Sequence, residues 1–411
     1  MSGRDRLMPF AEQRVLENAA FVLGLVPTSV QAVLLPVWSV EVRATVTEGR
    51  PYELVDRFVE RAIGVGGLGS AGEIAAFLAL DPALVRQALA FLTAIEHVTD
   101  VGGRVVLTEL GRRSMRDGTR YTVVRGDRRR LYFDGFRSRP LTAAHYTSSA
   151  VTFVPQGGTA PRHHGSVVRR LDSPGFRDDA VTELANHRDR ARFNLPPGIE
   201  NPERVGEPEK VHLPVYAVRA VEDDGRVRHL VYTPAHDGEH DPDLSAVCEE
   251  TPAFVADLWS AETGVVSGVA EKIRRWLSRR NLAQYEPEWD RRHGAWRVTL
   301  PPGVFSAPDG LGLARVGTYQ VLGGGPFFQL WCADRDTRAW ALVERLDSSL
   351  AARLRDGPDA VRARVDALNR QLEIRPPAPL AVLTRAAEQK GMHRLARILR
   401  QTEETIKKEQ R

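Results

Sequence analysis

The sequence predicts an α+β protein built on more than one core: a small helical module closed by a β-hairpin, then a β-rich α+β domain, then C-terminal helices. Three observations predict it. The chain has 411 residues, 42% of them hydrophobic, more apolar material than one small core uses. Apolar side chains recur at helical spacing over residues 51–95 and again beyond residue 346, whereas residues 211–233 and 296–343 read as strands punctuated by turns. A Gly-, Pro- and Asp-rich run over 157–209 separates the two halves, and no internal repeat is evident.

Taken in order, residues 1–50 read as a helix from about Phe10 to Leu25 and a strand around Val33 to Val42. Their uncharged run from Ala19 to Val40 is 22 residues long, enough to span a bilayer, but Pro27, Thr28, Ser29, Gln31 and Pro36 interrupt it. A globular core explains the run better, so no membrane association is expected. No basic segment followed by a signal-cleavage pattern is visible.

Residues 51–118 carry the clearest local code. Pro51 opens a helix with Leu54, Val55, Phe58, Val59, Ala62 and Ile63 on its apolar face. Ser70 and Glu73 form a capping box for a second helix, in which Ile74, Phe77 and Leu78 supply the buried face. Asp81 and Pro82 start a third, bearing Val85, Ala88, Leu89, Leu92 and Ile95. Strands at 98–101 and 104–107 then turn at Gly102-Gly103.

That order of elements, followed by Leu107-Thr108-Glu109-Leu110-Gly111, resembles the winged-helix superfamily of bacterial DNA-binding proteins. The resemblance covers about 70 residues. It implies a winged helix over 51–118 and either DNA binding or protein docking, since the module serves both ends.

Residues 119–156 are expected to form a basic strand extension, 157–209 an irregular linker, 210–345 an α+β domain and 346–411 C-terminal helices. Within the α+β domain, residues 215–218 pair with 229–232 across Asp223-Asp224-Gly225. Residues 251–281 read as helical. Leu346, Leu350, Leu354, Val361, Val365, Leu368 and Leu372 mark helices broken at Gly357-Pro358.

Charge is nearly balanced, 57 basic residues against 53 acidic, so its placement matters more than its total of +4. Only five of the basic residues are lysines, so arginine abundance alone is no argument for DNA. Placement does offer one: Arg112, Arg113, Arg116, Arg120, Arg125, Arg128, Arg129, Arg130, Arg137 and Arg139 are countered locally by Asp117, Asp127 and Asp134 alone. Ten minus three leaves a surplus of seven. Guanidinium forks suit phosphates, and Tyr121, Tyr132 and Phe133 interleave with them.

Base reading is weaker. The third helix offers Arg86 and Gln87, with Thr93, Glu96 and His97 further along, and Arg104 lies in the wing. The nucleic-acid-binding set is therefore Arg86, Gln87, Arg104, Arg112, Arg113, Arg116, Arg120, Arg125, Arg128, Arg129 and Arg130. They are expected to contact DNA with low sequence specificity, within a bacterial multi-protein system of regulation, DNA processing or phage defence.

Two alternatives stand beside that reading. One is a scaffold whose winged helix docks a partner subunit. The other is a metal-dependent hydrolase or nuclease using the loop 236–243, where His236, Asp237, His240 and Asp241 are ligand types for zinc or manganese. Arg162-His163-His164-Gly165-Ser166 sets a base beside a hydroxyl, yet no third group is identifiable and no nucleophile elbow surrounds the serine. Gly323-Gly324-Gly325-Pro326 reads as a hairpin turn, and residues 271–280 as a basic helix lying over a core.

No catalytic residue and no cofactor is expected, and a small-molecule ligand is left open. Cys248 and Cys332 are too few for a disulfide framework and fit a reducing cytoplasm.

Overall fold

One strand organises the molecule. The computed structural model describes residues 7–260, 268–323, 325–352 and 357–409. After helix α1 (Glu12–Glu17) and one π-helical turn (Asn18–Val22), strand β1 runs from Val26–Arg50. At the rise of an extended chain its 25 residues reach about 80 Å. The uncharged run is thus explained mostly by a buried strand. No helix among the described residues is long and apolar enough to cross a membrane.

At the far end of β1 the chain leaves the sheet as α2 (Leu54–Gly64), α3 (Ala71–Leu78), α4 (Pro82–Ala94), the hairpin β2 (Val98–Val101) and β3 (Arg104–Leu107), and α5 (Glu109–Asp117). It returns as β4 (Arg120–Asp134), which pairs antiparallel with β1 from Arg50↔Arg120 to Val37↔Asp134. The caps form as spaced. Ser70 accepts from Glu73 N while Glu73 reaches back to Ser70 N, and Asp81 accepts from Ala83 N ahead of Pro82. Gly102 and Gly103 take φ of +63° and +82°, the left-handed pair that a two-residue hairpin requires.

The apolar faces differ from expectation at three positions. Val59, Ala62, Ile63, Ile74, Val85, Leu89 and Leu92 form the module core, but Leu54, Phe58 and Phe77 are 69%, 47% and 68% exposed. The helices are short and few, and one side of each finds no neighbour.

The body continues through α6 (Ala144–Thr147), β5 (Val154–Pro155), the small hairpin β6 (Arg162–His163) and β7 (Ser166–Val167), β8 (Arg169–Arg170), α7 (Ala180–Asn186) and β9 (Ile199–Arg204). Residues 157–209, expected as a linker, instead pack on the sheet. β8 and β9 both pair with β1, and Val168, Leu171, Val181, Leu184, Leu195 and Ile199 are buried. Each strand is too short to show alternation against the glycine- and proline-rich sequence around it.

β10 (Glu209–Val221) pairs with β1 along Val26 to Ser39, and β11 (Val227–Tyr232) closes the edge as the expected hairpin partner, but one residue out of the register read from sequence: Tyr216↔Tyr232 to Arg219↔His229 rather than Val215↔Tyr232 to Val218↔His229. Alternation sorts the two faces. Val33, Leu35 and Val37 of β1, with Leu213, Val215 and Ala217 of β10, face α8 (Pro242–Glu249) and α9 (Pro252–Trp259). Val30, Tyr216, Val218 and Ala220 point the other way, into the largest core.

That core is shared by both ends of the chain. α10 (Val269–Ser278), β12 (Pro287–Asp290), β13 (Ala295–Thr299), α11 (Pro302–Ser306), β14 (Tyr319–Val321), β15 (Phe327–Trp331), α12 (Arg335–Ala352), α13 (Pro358–Gln371), α14 (Leu380–Gln389) and α15 (His393–Glu409) complete the fold. The second sheet has the order β12-β13-β15-β14. Val15, Leu16, Ala19 and Phe21 pack with Val298, Phe328, Leu346, Leu368, Leu372 and Leu395.

Residues 1–50, 210–345 and 346–411 are therefore not separate cores: β10 and β11 belong to the first sheet, and residues 335–343, read as part of a β-rich stretch, are helical. The helical reading of 251–281 holds at α9 and α10, while residues 261–267, Leu354 and Gly324 lie outside the described residues. Ile273 and Leu277 of α10 are buried and Trp276 packs against them under Arg280, as a basic outer face requires.

Candidate functional site

The expected basic face is real in sequence but already partnered in space. Arg112 pairs with Glu109, Arg113 and Arg116 with Asp117, Arg120 with Asp56, Arg125 with Glu96, Arg128 with Glu41, Arg129 with Asp127, and Arg137 and Arg139 with Glu250. Among the described residues, Arg130 is the one of the ten that makes no ion pair. Ten guanidiniums thus meet seven carboxylates, a surplus of three where the chain count gave seven. Arg125 engages Glu96 through both terminal nitrogens, and Glu96 is held below the usual carboxylate range by that hydrogen bond. Most of these pairs are solvent-exposed, so each is weak; their effect is to cancel field rather than to stabilise.

Two of these partnerships fix the module to the sheet. The side chain of Arg120, 14% exposed, lies 3.5 Å from Asp56 and over the ring of Phe91. His97, which lies beyond the base-reading candidates Arg86 and Gln87, is fully buried: Nδ1 is 2.5 Å from Glu60 Oε1, and Nε2 is 2.5 Å from the carbonyl of Tyr121 on β4. Tyr52 donates to the other Glu60 oxygen, and Tyr121 N donates to Ser114 Oγ. Burial and the neighbouring Glu60 push the Tyr52 phenol well above its ordinary pKa. Ser114, His97 and Glu60 resemble a hydrolytic triad by composition, but Ser114 and His97 are sealed from solvent, so the arrangement is a joint.

Arg86 and Gln87 are exposed on α4 as expected, yet their neighbours are Leu84 and Phe91, each 40% exposed. Arg104 on the wing donates to the carbonyl of Gly67 in the turn between α2 and α3. Among the described residues, eight of the thirteen exposed large hydrophobic residues belong to this module: Leu54, Phe58, Val65, Phe77, Leu84, Phe91, Val101 and Val106. Interleaved with them are the exposed Arg57, Arg61 and Arg86.

Among the described residues, three histidine–carboxylate clusters lie in the body. The turn of the β6–β7 hairpin places His163 and His164 on opposite oxygens of buried Glu12, at 3.0 and 2.8 Å. Burial raises the Glu12 pKa, but the two histidines offset this and hold it below the ordinary value. This carboxylate is the third group that sequence could not supply, since it comes from 151 residues upstream. With Ser166, Trp289, Trp296 and Phe327 it lines a cavity of about 310 Å³.

In the second cluster, the loop 236–243 divides. His236 and Asp241 meet His145 of α6, whereas Asp237 turns outward to Arg14 and His240 packs beside Tyr232. In the third, Asp290, His293 and Glu373 gather around the guanidinium of Arg297, which is 3.1 Å from Asp290 and 3.0 Å from Glu373. A fixed cation at its centre makes that cluster an ion-pair network rather than a metal site.

No family model matches the chain, and neither a curated protein nor a solved structure matches it. The winged-helix resemblance over 51–118 accordingly rests on its own residues.

Proposed function

We propose that the chain is a docking subunit whose residues 51–118, read as a winged helix, bind an acidic, amphipathic segment of a partner protein. The observation that carries this is the combination of exposed apolar side chains with exposed Arg57, Arg61 and Arg86 on one small module, while nine of the ten arginines from Arg112 to Arg139 are already paired. Leu54 and Phe58 are one helical turn apart on α2, as are Arg57 and Arg61, so apolar and cationic positions run side by side along the helix. A partner with leucine-like residues flanked by carboxylates matches both features. A phosphate backbone has no use for the apolar positions, and nine of the ten arginines expected to meet it are already held.

The remainder of the chain supports this reading as a scaffold. The module grows from the end of a hairpin whose strands pair over more than a dozen positions, and His97, Arg120 and Arg125 brace it there. A rigidly presented surface loses less freedom on association than a tethered one.

Co-purification of the full chain from its native cells tests the proposal. A stoichiometric partner with an acidic contacting segment should be retained by wild type and by the Arg128→Ala, Arg129→Ala, Arg130→Ala variant. It should be lost from Phe58→Asp, Phe77→Asp. Loss from the arginine variant alone, with duplex DNA bound by wild type at low salt, would establish nucleic-acid binding instead.

A further inference from the structure

We propose that His145, His236 and Asp241 form a binding site for one divalent transition-metal ion, of the zinc or iron(II) class. The three residues arrive from separate elements. His145 lies in α6, His236 ends the short 3-10 turn Pro234–His236, and Asp241 caps α8. Nε2 of His145 lies 3.2 Å from Asp241 Oδ2, and Nε2 of His236 lies 3.1 Å from the same oxygen. Donor atoms held about 2.0 to 2.1 Å from one tetrahedral ion sit roughly 3.3 Å apart, so these spacings are those of a ligand set.

The hydrogen bonding is what separates this cluster from the other two. Neither histidine contact with Oδ2 has hydrogen-bond geometry. Nε2 of His145, Nε2 of His236 and Oδ2 of Asp241 are all buried atoms without a hydrogen-bond partner. Three orphaned polar atoms converging in a buried place are costly unless something satisfies them together. In the Glu12 cluster, by contrast, each carboxylate oxygen is hydrogen-bonded to its own histidine.

Supporting contacts aim the donors inward. Thr142 Oγ1 lies 3.1 Å from His145 Nδ1, where it can accept that N–H and leave Nε2 with its lone pair free. Asp241 Oδ1 accepts from Leu244 N, leaving Oδ2 as the free oxygen. The side chains of His145 and Asp241 are 1% and 0% exposed, while that of His236 is 26% exposed. The ion would therefore enter past His236 and keep a solvent position there, the pattern of an open three-ligand site rather than a closed structural one.

Cobalt(II) titration of the full chain, stripped with EDTA, reads the site directly. Wild type should take up one equivalent and develop visible d–d bands, with zinc(II) displacing them at one equivalent. His236→Gln, chosen because its side chain is partly exposed, and Asp241→Asn, which keeps the cap on α8, should each weaken uptake at least tenfold at unchanged circular dichroism. His163→Gln with His164→Gln should bind as wild type does. Absence of uptake by wild type would overturn the assignment, as would equal uptake by the His236 and Asp241 variants, or loss of uptake in the His163, His164 variant.

Discussion

Replacing Arg128, Arg129 and Arg130 together by alanine should change the salt dependence of duplex binding by about 0.9 in the slope of log K against log salt. Each phosphate neutralised contributes roughly 0.9 to that slope. If all ten arginines from Arg112 to Arg139 met phosphates, the wild-type slope would approach about −9, and removing three would lower its magnitude by about 2.7. In the structure Arg128 is held by Glu41 at 3.0 Å and Arg129 by Asp127 at 2.7 Å, which leaves Arg130 alone free to engage. Fluorescence anisotropy with a labelled 20-base-pair duplex between about 50 and 300 mM salt measures both slopes. A change of about 2.7 would show that the arginines abandon their carboxylates for DNA, and the cancellation of charge would then be no argument for protein docking.

Three other outcomes follow from buried groups. His97→Ala removes one of the two side chains that hydrogen-bond buried Glu60, leaving Tyr52 on it, and should destabilise the module by about 1 to 3 kcal/mol; hydrogen exchange should quicken over residues 54–121 far more than over β10, and uniform quickening would contradict a local joint. Glu12 has its folded pKa depressed, so its contribution is present above the unfolded carboxylate value and is lost as pH falls through the folded one. Thermal melts below about pH 4.5 should therefore show wild type losing stability that Glu12→Gln, already lower at pH 7, does not lose again. Both cysteines are fully buried, and burial pushes the Cys248 thiol up to about 12, so a disulfide reagent at pH 8 should titrate neither thiol in the native chain and both after denaturation.

What sequence made legible was whatever neighbouring residues decide among themselves. The Ser70–Glu73 box, the Asp81-Pro82 start and the Gly102-Gly103 turn are local and formed as read. The β10–β11 hairpin was legible as a pairing, but its register was not: the connection of residues 222–226 sets it one residue away from the one the strand runs suggest. The length of β1 was not, since its partners lie as far away as residue 221 and its burial comes from three different cores. Nor were the ion pairs. Glu41 stands 87 residues before Arg128, so a count along the chain sees charge where the fold has placed a counter-charge. The same distance effect hid His145, which lies outside the acidic loop that supplies His236 and Asp241.

Exposure of Phe58 and Phe77 was hidden for the opposite reason: helical periodicity shows which residues share a face, but a module of a few short helices cannot cover every such face.

The most direct measurement places a photo-crosslinking phenylalanine analogue at position 58 or 77 of the full chain in its native cells, with position 289 on β12 as an exposed aromatic control. Docking predicts one discrete protein adduct from positions 58 and 77, mapping to an acidic amphipathic segment, and none from 289. Adducts to nucleic acid alone, or an identical pattern from all three positions, would contradict it.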